Sequence, residues 1–118
     1  MEILVSIRLR SWTATLSLLC LCCLPHIAAA QVSAVLSGRV TDQTGAVVSG
    51  ATVTATSQET GIARATVTNQ AGMYELLALP IGHYELRAKK AGFSEQVRTG
   101  ILLVVGQDAT ADFSLKVG

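Results

Sequence analysis

The sequence predicts an all-β domain, and two observations support that prediction. Through most of residues 31–118 apolar and polar side chains alternate with a period of two, as in the stretch ATVTATS at residues 51–57. Turn-forming residues separate the alternating stretches at intervals of roughly eight to twelve residues. No window has the apolar spacing of an amphipathic helix. We therefore predict a seven-stranded antiparallel β-sandwich.

The strands are assigned in chain order from this alternation. A first strand places Leu36, Gly38 and Val40 on one face, and further strands are expected within 51–56, 63–68, 84–89 and 109–116. In each of them the apolar member of the alternating pair is expected to face the core. The run ILLVV at residues 101–105 is apolar at every position, which predicts a strand buried between the sheets or one that switches sheets.

The stretch GMYELLALPIGHYEL at residues 72–86 contains the pattern Gly-x-Tyr-Glu-Leu twice. We interpret the two copies as successive strands in which Tyr and Leu face the core and Glu faces solvent. The residues between them, Leu79–Gly82, are predicted to form the turn, because Pro80 fixes φ and Gly82 accepts an unusual φ. This interpretation places Tyr74 and Tyr84 in the core.

Two further turns contain side chains that could bind a cation. Asp42–Gly45 suits a type I turn, and Asn69–Gly72 is a second turn signal. Asp42 and Asn69 could supply oxygens to Ca²⁺, which takes six to eight of them. Capping of the turn backbone explains both residues more simply.

Residues 1–30 have the features of a secretory signal peptide. Arg8 and Arg10 precede an apolar run at 16–24, and Ala28 and Ala30 form an A-x-A cleavage site that leaves Gln31 as the new N-terminus. The run is too short for a membrane span, which requires about 20 residues. We expect an exported protein, in the periplasm, in the outer membrane or secreted, with no membrane span in residues 31–118.

Composition excludes several classes of function. The three cysteines, Cys20, Cys22 and Cys23, all lie in the leader, so the mature chain can form no disulfide and has no thiol nucleophile. Seven basic and seven acidic side chains in residues 31–118 leave no charged block for nucleic acid. His83 is the only histidine after the leader, which is too few for a zinc site or a serine-histidine pair. We expect no enzyme, no metal and no cofactor.

The stretches GRVTDQTGAVVSGATVTAT and TVTNQAGMYELLALPIGHYELRAKKAGF resemble the carboxypeptidase regulatory-like domain, a transthyretin-like sandwich also classed with carbohydrate-binding-like folds. The resemblance covers about residues 35–115. Its structural markers in this sequence are Gly38, Asp42, Gly45, Gly50, Gly72, Tyr74, Pro80, Gly82, Tyr84, Gly92 and Phe93. Ser49 stands where this family usually has Pro, and Ala71 where it usually has Asp.

The stretch VRTGILLVVGQDATADFSLKVG resembles the N-terminal extension of TonB-dependent outer-membrane receptors, in which a plug and a barrel follow this domain. The resemblance implies a non-catalytic module of the cell envelope that contacts protein partners or a linked plug and barrel. Two alternatives remain: a small secreted carbohydrate-binding protein, and a structural spacer that binds partners by strand addition.

Overall fold

The computed structural model describes residues 33–118, and over this range the chain forms eight strands and no helix. The predicted signal peptide, with Ala28, Ala30 and Gln31, lies outside the described residues. The strands are β1 (Ser33–Asp42), β2 (Thr52–Ser57), β3 (Ala63–Val67), β4 (Met73–Pro80), β5 (Gly82–Lys89), β6 (Gln96–Leu103), β7 (Asp108–Thr110) and β8 (Phe113–Leu115).

The strands form two sheets, so the predicted all-β sandwich is confirmed. One sheet has the order β4-β1-β7, and β8 also pairs with β1. The other sheet has the order β3-β2-β5-β6. Apolar side chains from both sheets fill the space between them, and the largest fully buried ones are Leu36, Leu79, Leu86, Leu103, Leu115, Val40 and Val53.

The C-terminal strands differ from the prediction in number and direction. The alternating stretch at 109–115 is divided into β7 and β8, and both run parallel to β1. At the break, the Ala111 N–H donates to the Ser37 carbonyl and Asp112 Oδ1 accepts from the Arg39 N–H. No tight hairpin joins β1 to these strands, so their direction is not forced to be antiparallel.

The two copies of Gly-x-Tyr-Glu-Leu lie in different sheets. Tyr74 and Leu76 are on β4, Tyr84 and Leu86 are on β5, and all four side chains are buried. The interpretation of the two copies as successive core-facing strands is confirmed. The connection between them is tighter than predicted: β4 ends at Pro80, β5 begins at Gly82, and only Ile81 lies between them.

The prediction for residues 101–105 was wrong. Leu103 is buried, whereas Leu102, Val104 and Val105 are 52%, 49% and 61% exposed. Leu102 lies opposite the exposed His83 of β5, so it is on the outer face of the sheet. β6 also ends at Leu103, before the two valines.

The predicted core face of β3 was also wrong. Residues directly opposite in an antiparallel pair share a face, and Arg64 and Thr66 lie opposite Ala55 and Val53, which are fully buried. The inner face of β3 therefore carries Arg64 and Thr66, and its alanines and Val67 point outward. β3 is the edge strand next to β2, where the inner face extends beyond the core.

Candidate functional site

Gly38 and Tyr74 lie where the C-terminal segment passes closest to β1. A Cβ atom at Gly38 would lie 1.9 Å from the carbonyl oxygen of Ala111, so only glycine fits there. The Tyr74 hydroxyl donates to the same oxygen, and its ring centroid lies 6.4 Å from that of Phe113. Burial, followed by the charge of Asp112, raises the pKa of Tyr74 to about 12. These residues hold the C-terminal strands on β1.

Asp42 orders the turn that follows β1. Its Oδ1 accepts hydrogen bonds from the Thr44 N–H at 2.8 Å, the Thr44 hydroxyl at 2.6 Å and the Ala46 N–H at 3.1 Å. The hydrogen bond from the Thr44 side chain is the main cause that lowers the pKa of Asp42 below its ordinary value. Gly45 completes the turn with a φ of 88°.

Asn69 has the same function in the turn before β4. Its Oδ1 accepts hydrogen bonds from the N–H groups of Ala71 at 2.9 Å and Met73 at 3.0 Å. Its backbone carbonyl accepts a hydrogen bond from the Gly72 N–H. Within residues 33–118 no group of three or more His, Cys, Asp or Glu side chains is placed to hold a metal ion. Asp42 and Asn69 therefore serve the backbone of their turns.

Gly50 and Gly92 also lie in turns, and Phe93 follows Gly92. The Gly50 N–H donates to the Thr68 carbonyl, and the ammonium of Lys90 donates to the Ser49 carbonyl beside it. Gly92 accepts from the Gly118 N–H. Phe93 is half-buried and packs against the rim of the core, forming a bridge with Val117.

Gly82 lies beside an exposed contact between Glu59 and His83. The Glu59 carboxylate accepts from the His83 N–H at 3.1 Å and lies 2.8 Å from His83 Nδ1. These contacts, the His83 side chain first, lower the pKa of Glu59. Beside this pair, Tyr84 donates its hydroxyl to the Pro80 carbonyl at 2.7 Å, and burial raises its pKa. His83 is exposed at the start of β5.

A cleft of about 150 Å³ opens beside Glu59, between the start of β3 and the β4–β5 connection. Its floor includes the buried Leu79 and Tyr84, and its walls include Ile62, Arg64 and Ile81. Arg64 extends from β3 to β4, where its Nη1 donates to the carbonyls of Leu77 at 2.6 Å and Ala78 at 3.2 Å. The cleft is thus largely apolar with one guanidinium group in its wall.

Sequence reasoning did not identify Ile62 or Arg64 as candidate site residues. The alternation of Ala63, Ala65 and Val67 with polar residues suggested that the polar face was solvated. The register of β2 with β3 reverses that assignment, and register is set by the β2–β3 hairpin. The signal available in the sequence was the alternation of the positively charged Arg64 with the small residues Ala63 and Ala65.

β3 differs from the other strands at the sheet edges. β4 and β6 each carry a bulge, where two of their residues face one on the neighbouring strand, and β7 and β8 have three residues each. The β2–β3 ladder has a regular register from Thr52–Val67 to Thr56–Ala63. Bulges and short strands hinder pairing with another chain. Among the edge strands described, β3 is the one that has more than three residues and a regular register, and it contains neither Pro nor Lys. These features leave its edge able to pair with another strand.

The fold of this chain is similar to that of several solved structures, whereas its sequence matches none of the curated proteins. A structure from Bacteroides uniformis, named as a "putative carbohydrate binding protein", is 20% identical with a TM-score of 0.57, over 70% of this chain and 41% of that one. A catechol 1,2-dioxygenase from Acinetobacter radioresistens is 11% identical with a TM-score of 0.62, over 80% and 55%.

A chain of a type II cohesin–X–dockerin complex from Acetivibrio cellulolyticus is 20% identical with a TM-score of 0.57, over 72% of this chain and 58% of that one. This chain therefore spans between 41% and 58% of the lengths of these three structures. At these identities the likeness establishes the fold alone, and the three names show that the fold serves unrelated functions.

The sequence matches a family over most of its length. Residues 35–116 match the carboxypeptidase regulatory-like domain, which is a non-catalytic β-sandwich. The described residues contain no helix long and apolar enough to cross a membrane. The chain belongs to the carboxypeptidase regulatory-like domain family.

Proposed function

We propose that this chain is a non-catalytic protein-interaction module of the cell envelope. The observation that supports this proposal is the use of its polar side chains. The side-chain oxygens of Asp42, Asn69 and Tyr74 all bind the backbone of the domain itself. The regular edge of β3 and the cleft beside it are open to a partner.

We further propose that the domain is the N-terminal accessory domain of a TonB-dependent outer-membrane receptor, exported to the periplasm or outer membrane. The leader pattern and the likeness of residues 97–118 to receptor extensions support this context. Export is tested by expressing the chain with a C-terminal tag in a Gram-negative host and sequencing the N-terminus of the product. We expect a periplasmic or membrane-bound product that begins at Gln31, and an Ala30→Leu variant that keeps its leader.

The receptor context is tested at the gene. We expect the coding sequence to continue past the codon of Gly118 into a plug and a barrel, or such a gene to lie beside it. A neighbourhood without either would overturn the receptor proposal. A cytoplasmic product with an intact leader would overturn the envelope proposal.

Carbohydrate binding is the second candidate, because the B. uniformis structure has carbohydrate binding in its name. Sugar sites commonly include an exposed aromatic ring. Tyr74, Tyr84 and Phe113 are buried to 4% exposure or less, so none of the three offers such a ring. A glycan array separates the candidates: a hit that titrates by calorimetry supports carbohydrate binding, and an array without hits removes it.

A further inference from the structure

We propose that the β3 edge binds an extended peptide by strand addition, and that this peptide carries an acidic residue opposite Arg64 and an aliphatic residue opposite Ile62. The inference rests on the proposed interaction function and names the surface and the chemistry of the partner. Three features of β3 support it: its free backbone groups, the cleft at its start and the charge of Arg64.

The free backbone groups follow from the hydrogen bonds between β2 and β3. The Ser57 N–H donates to the Ile62 carbonyl and the Thr68 N–H donates to the Ala51 carbonyl. Because hydrogen-bonded pairs alternate in an antiparallel ladder, Arg64 and Thr66 also direct their backbone groups toward β2. The N–H and C=O groups of Ala63, Ala65 and Val67 therefore point away from β2, along the free edge. All three of these residues are exposed.

The cleft provides a place for one side chain of an added strand. Ile62 lies opposite Ser57 in the continued β2–β3 register, so it shares the inner face with Arg64 and Thr66. A partner residue opposite Ile62 would direct its side chain into the cleft, over Leu79 and Ile81. The cleft holds about 150 Å³ and is largely apolar, which suits a single branched aliphatic side chain. Ile62 itself is 67% exposed, so an occupant would also cover it.

Arg64 determines the charge of the neighbouring partner residue. Its Nη1 binds the two carbonyls of the β4 bulge, which holds the guanidinium beside the free edge. Among the described residues, Nε and Nη2 of Arg64 have no hydrogen-bond acceptor. No carboxylate of these residues lies within 4 Å of the guanidinium group. Positions two apart on a strand share a face, so the partner residue opposite Arg64 lies two from the one in the cleft. A carboxylate there would neutralise the charge of Arg64 and could accept two parallel N–H···O hydrogen bonds, the geometry that guanidinium groups favour.

Charge complementarity favours such a peptide over a second copy of the chain. Two copies paired antiparallel through Ala65 would place each Arg64 opposite Thr66 of the other copy. Neither guanidinium would then gain a carboxylate from the residue opposite it. An acidic peptide supplies the carboxylate, and its adjacent aliphatic residue occupies the cleft.

The test is a nuclear magnetic resonance titration of the full chain, ¹⁵N-labelled, with the acetylated and amidated peptide TVTETITETVT. In this peptide glutamates flank the central isoleucine at two positions on either side, so either strand direction places one opposite Arg64. The control peptide has lysine in place of both glutamates. We expect the largest amide shifts at Ala63, Ala65 and Val67, and at least about tenfold weaker binding of the lysine peptide, as for loss of one charge-assisted hydrogen bond.

A pair of variants at Ala65 and a charge reversal at Arg64 test the mechanism. Ala65→Pro removes a free-edge N–H and is expected to weaken binding by at least about tenfold, whereas Ala65→Val keeps that N–H and should bind like the parent. Arg64→Glu should reverse the preference in favour of the lysine peptide. Each variant is first checked for a dispersed amide spectrum, and if a substitution at one position loses the fold, the substitution at the other position decides.

Several outcomes would overturn the proposal. Shifts centred on β4 or β6, or none at millimolar peptide, would exclude the β3 site. Equal binding of both peptides to the parent would exclude recognition through Arg64. Shifts at β3 that depend on protein concentration without peptide would assign the edge to a second copy. None of these results bears on export or on the receptor gene, so failure here and failure of the proposed function are distinguishable.

Discussion

Tyr74 and Tyr84 occupy the same position in two copies of one five-residue pattern, yet they stabilise the domain differently. The hydroxyl of Tyr74 donates to the carbonyl of Ala111, 37 residues away in the chain. The same carbonyl lies against Gly38. The hydroxyl of Tyr84 binds the carbonyl of Pro80, four residues before it, beside the open cleft. Tyr74 thus joins the C-terminal segment to β1, whereas Tyr84 stabilises a local turn.

This difference shows that the pattern determines which side chains are buried but not what they hold together. Both rings are buried because Tyr and Leu alternate with outward residues on each strand. The partner of each hydroxyl depends on which segment lies within its reach. β7 and β8 pair with β1 in the sheet of Tyr74, whereas the Tyr84 hydroxyl lies beside the cleft and the β4–β5 connection.

Replacing Gly38 should disrupt the region of Tyr74 most strongly. A Gly38→Val side chain would occupy the space of the Ala111 carbonyl, and we expect a loss of more than about 3 kcal/mol of stability, beyond ordinary overpacking. Ser37→Val, one residue earlier and on the outer face of β1, is the matched control and should melt near the parent temperature. Thermal unfolding followed by circular dichroism measures both. A Gly38→Val protein as stable as the control would contradict the close approach.

The two tyrosine hydroxyls should differ in their contribution to stability. Tyr74→Phe leaves a buried carbonyl without its donor, which costs about 1–3 kcal/mol. Tyr84→Phe frees the carbonyl of the exposed Pro80, where water can replace the donor, so the loss should stay below about 1 kcal/mol. Urea denaturation of both variants measures the two losses in unfolding free energy. We expect the dependence of that free energy on urea concentration to be the same as in the parent. Equal losses would mean that the two copies are energetically equivalent.

Alkaline pH should destabilise the domain gradually, through the same two hydroxyls. Burial raises the pKa of Tyr74 to about 12 and also raises that of Tyr84, so the folded state holds both phenol protons more tightly than the unfolded chain. Stability should therefore be level up to about pH 10 and fall as the pH rises from there toward 12. The chain has only two tyrosines, so phenolate absorbance resolves both titrations. The fall should be shallower in Tyr74→Phe, and an identical fall there would contradict the assignment.

The sequence predicted the sandwich and most of its core because a period of two with regular turns permits few other folds. The turn residues were equally readable, since Asp42 and Asn69 act on N–H groups two and four residues away. Local chemistry of this kind needs no knowledge of the tertiary structure.

The candidate site was not predictable in the same way. Whether Arg64 or Ala65 faces inward depends on the register of β3 against β2, and a shift of one residue exchanges the two faces. Likewise, the apolar run at 101–105 does not reveal that Leu102 lies on the outer face of its sheet and that β6 ends at Leu103.

The sequence by itself thus determined the fold class, the family, the turns and the burial of Tyr74 and Tyr84, because these depend on residues close together in the chain. Only the tertiary structure decided which strands lie at the edges, which of them carry bulges and where Arg64 is held. Those features depend on pairings between distant segments, such as β1 with β8, which no local pattern specifies.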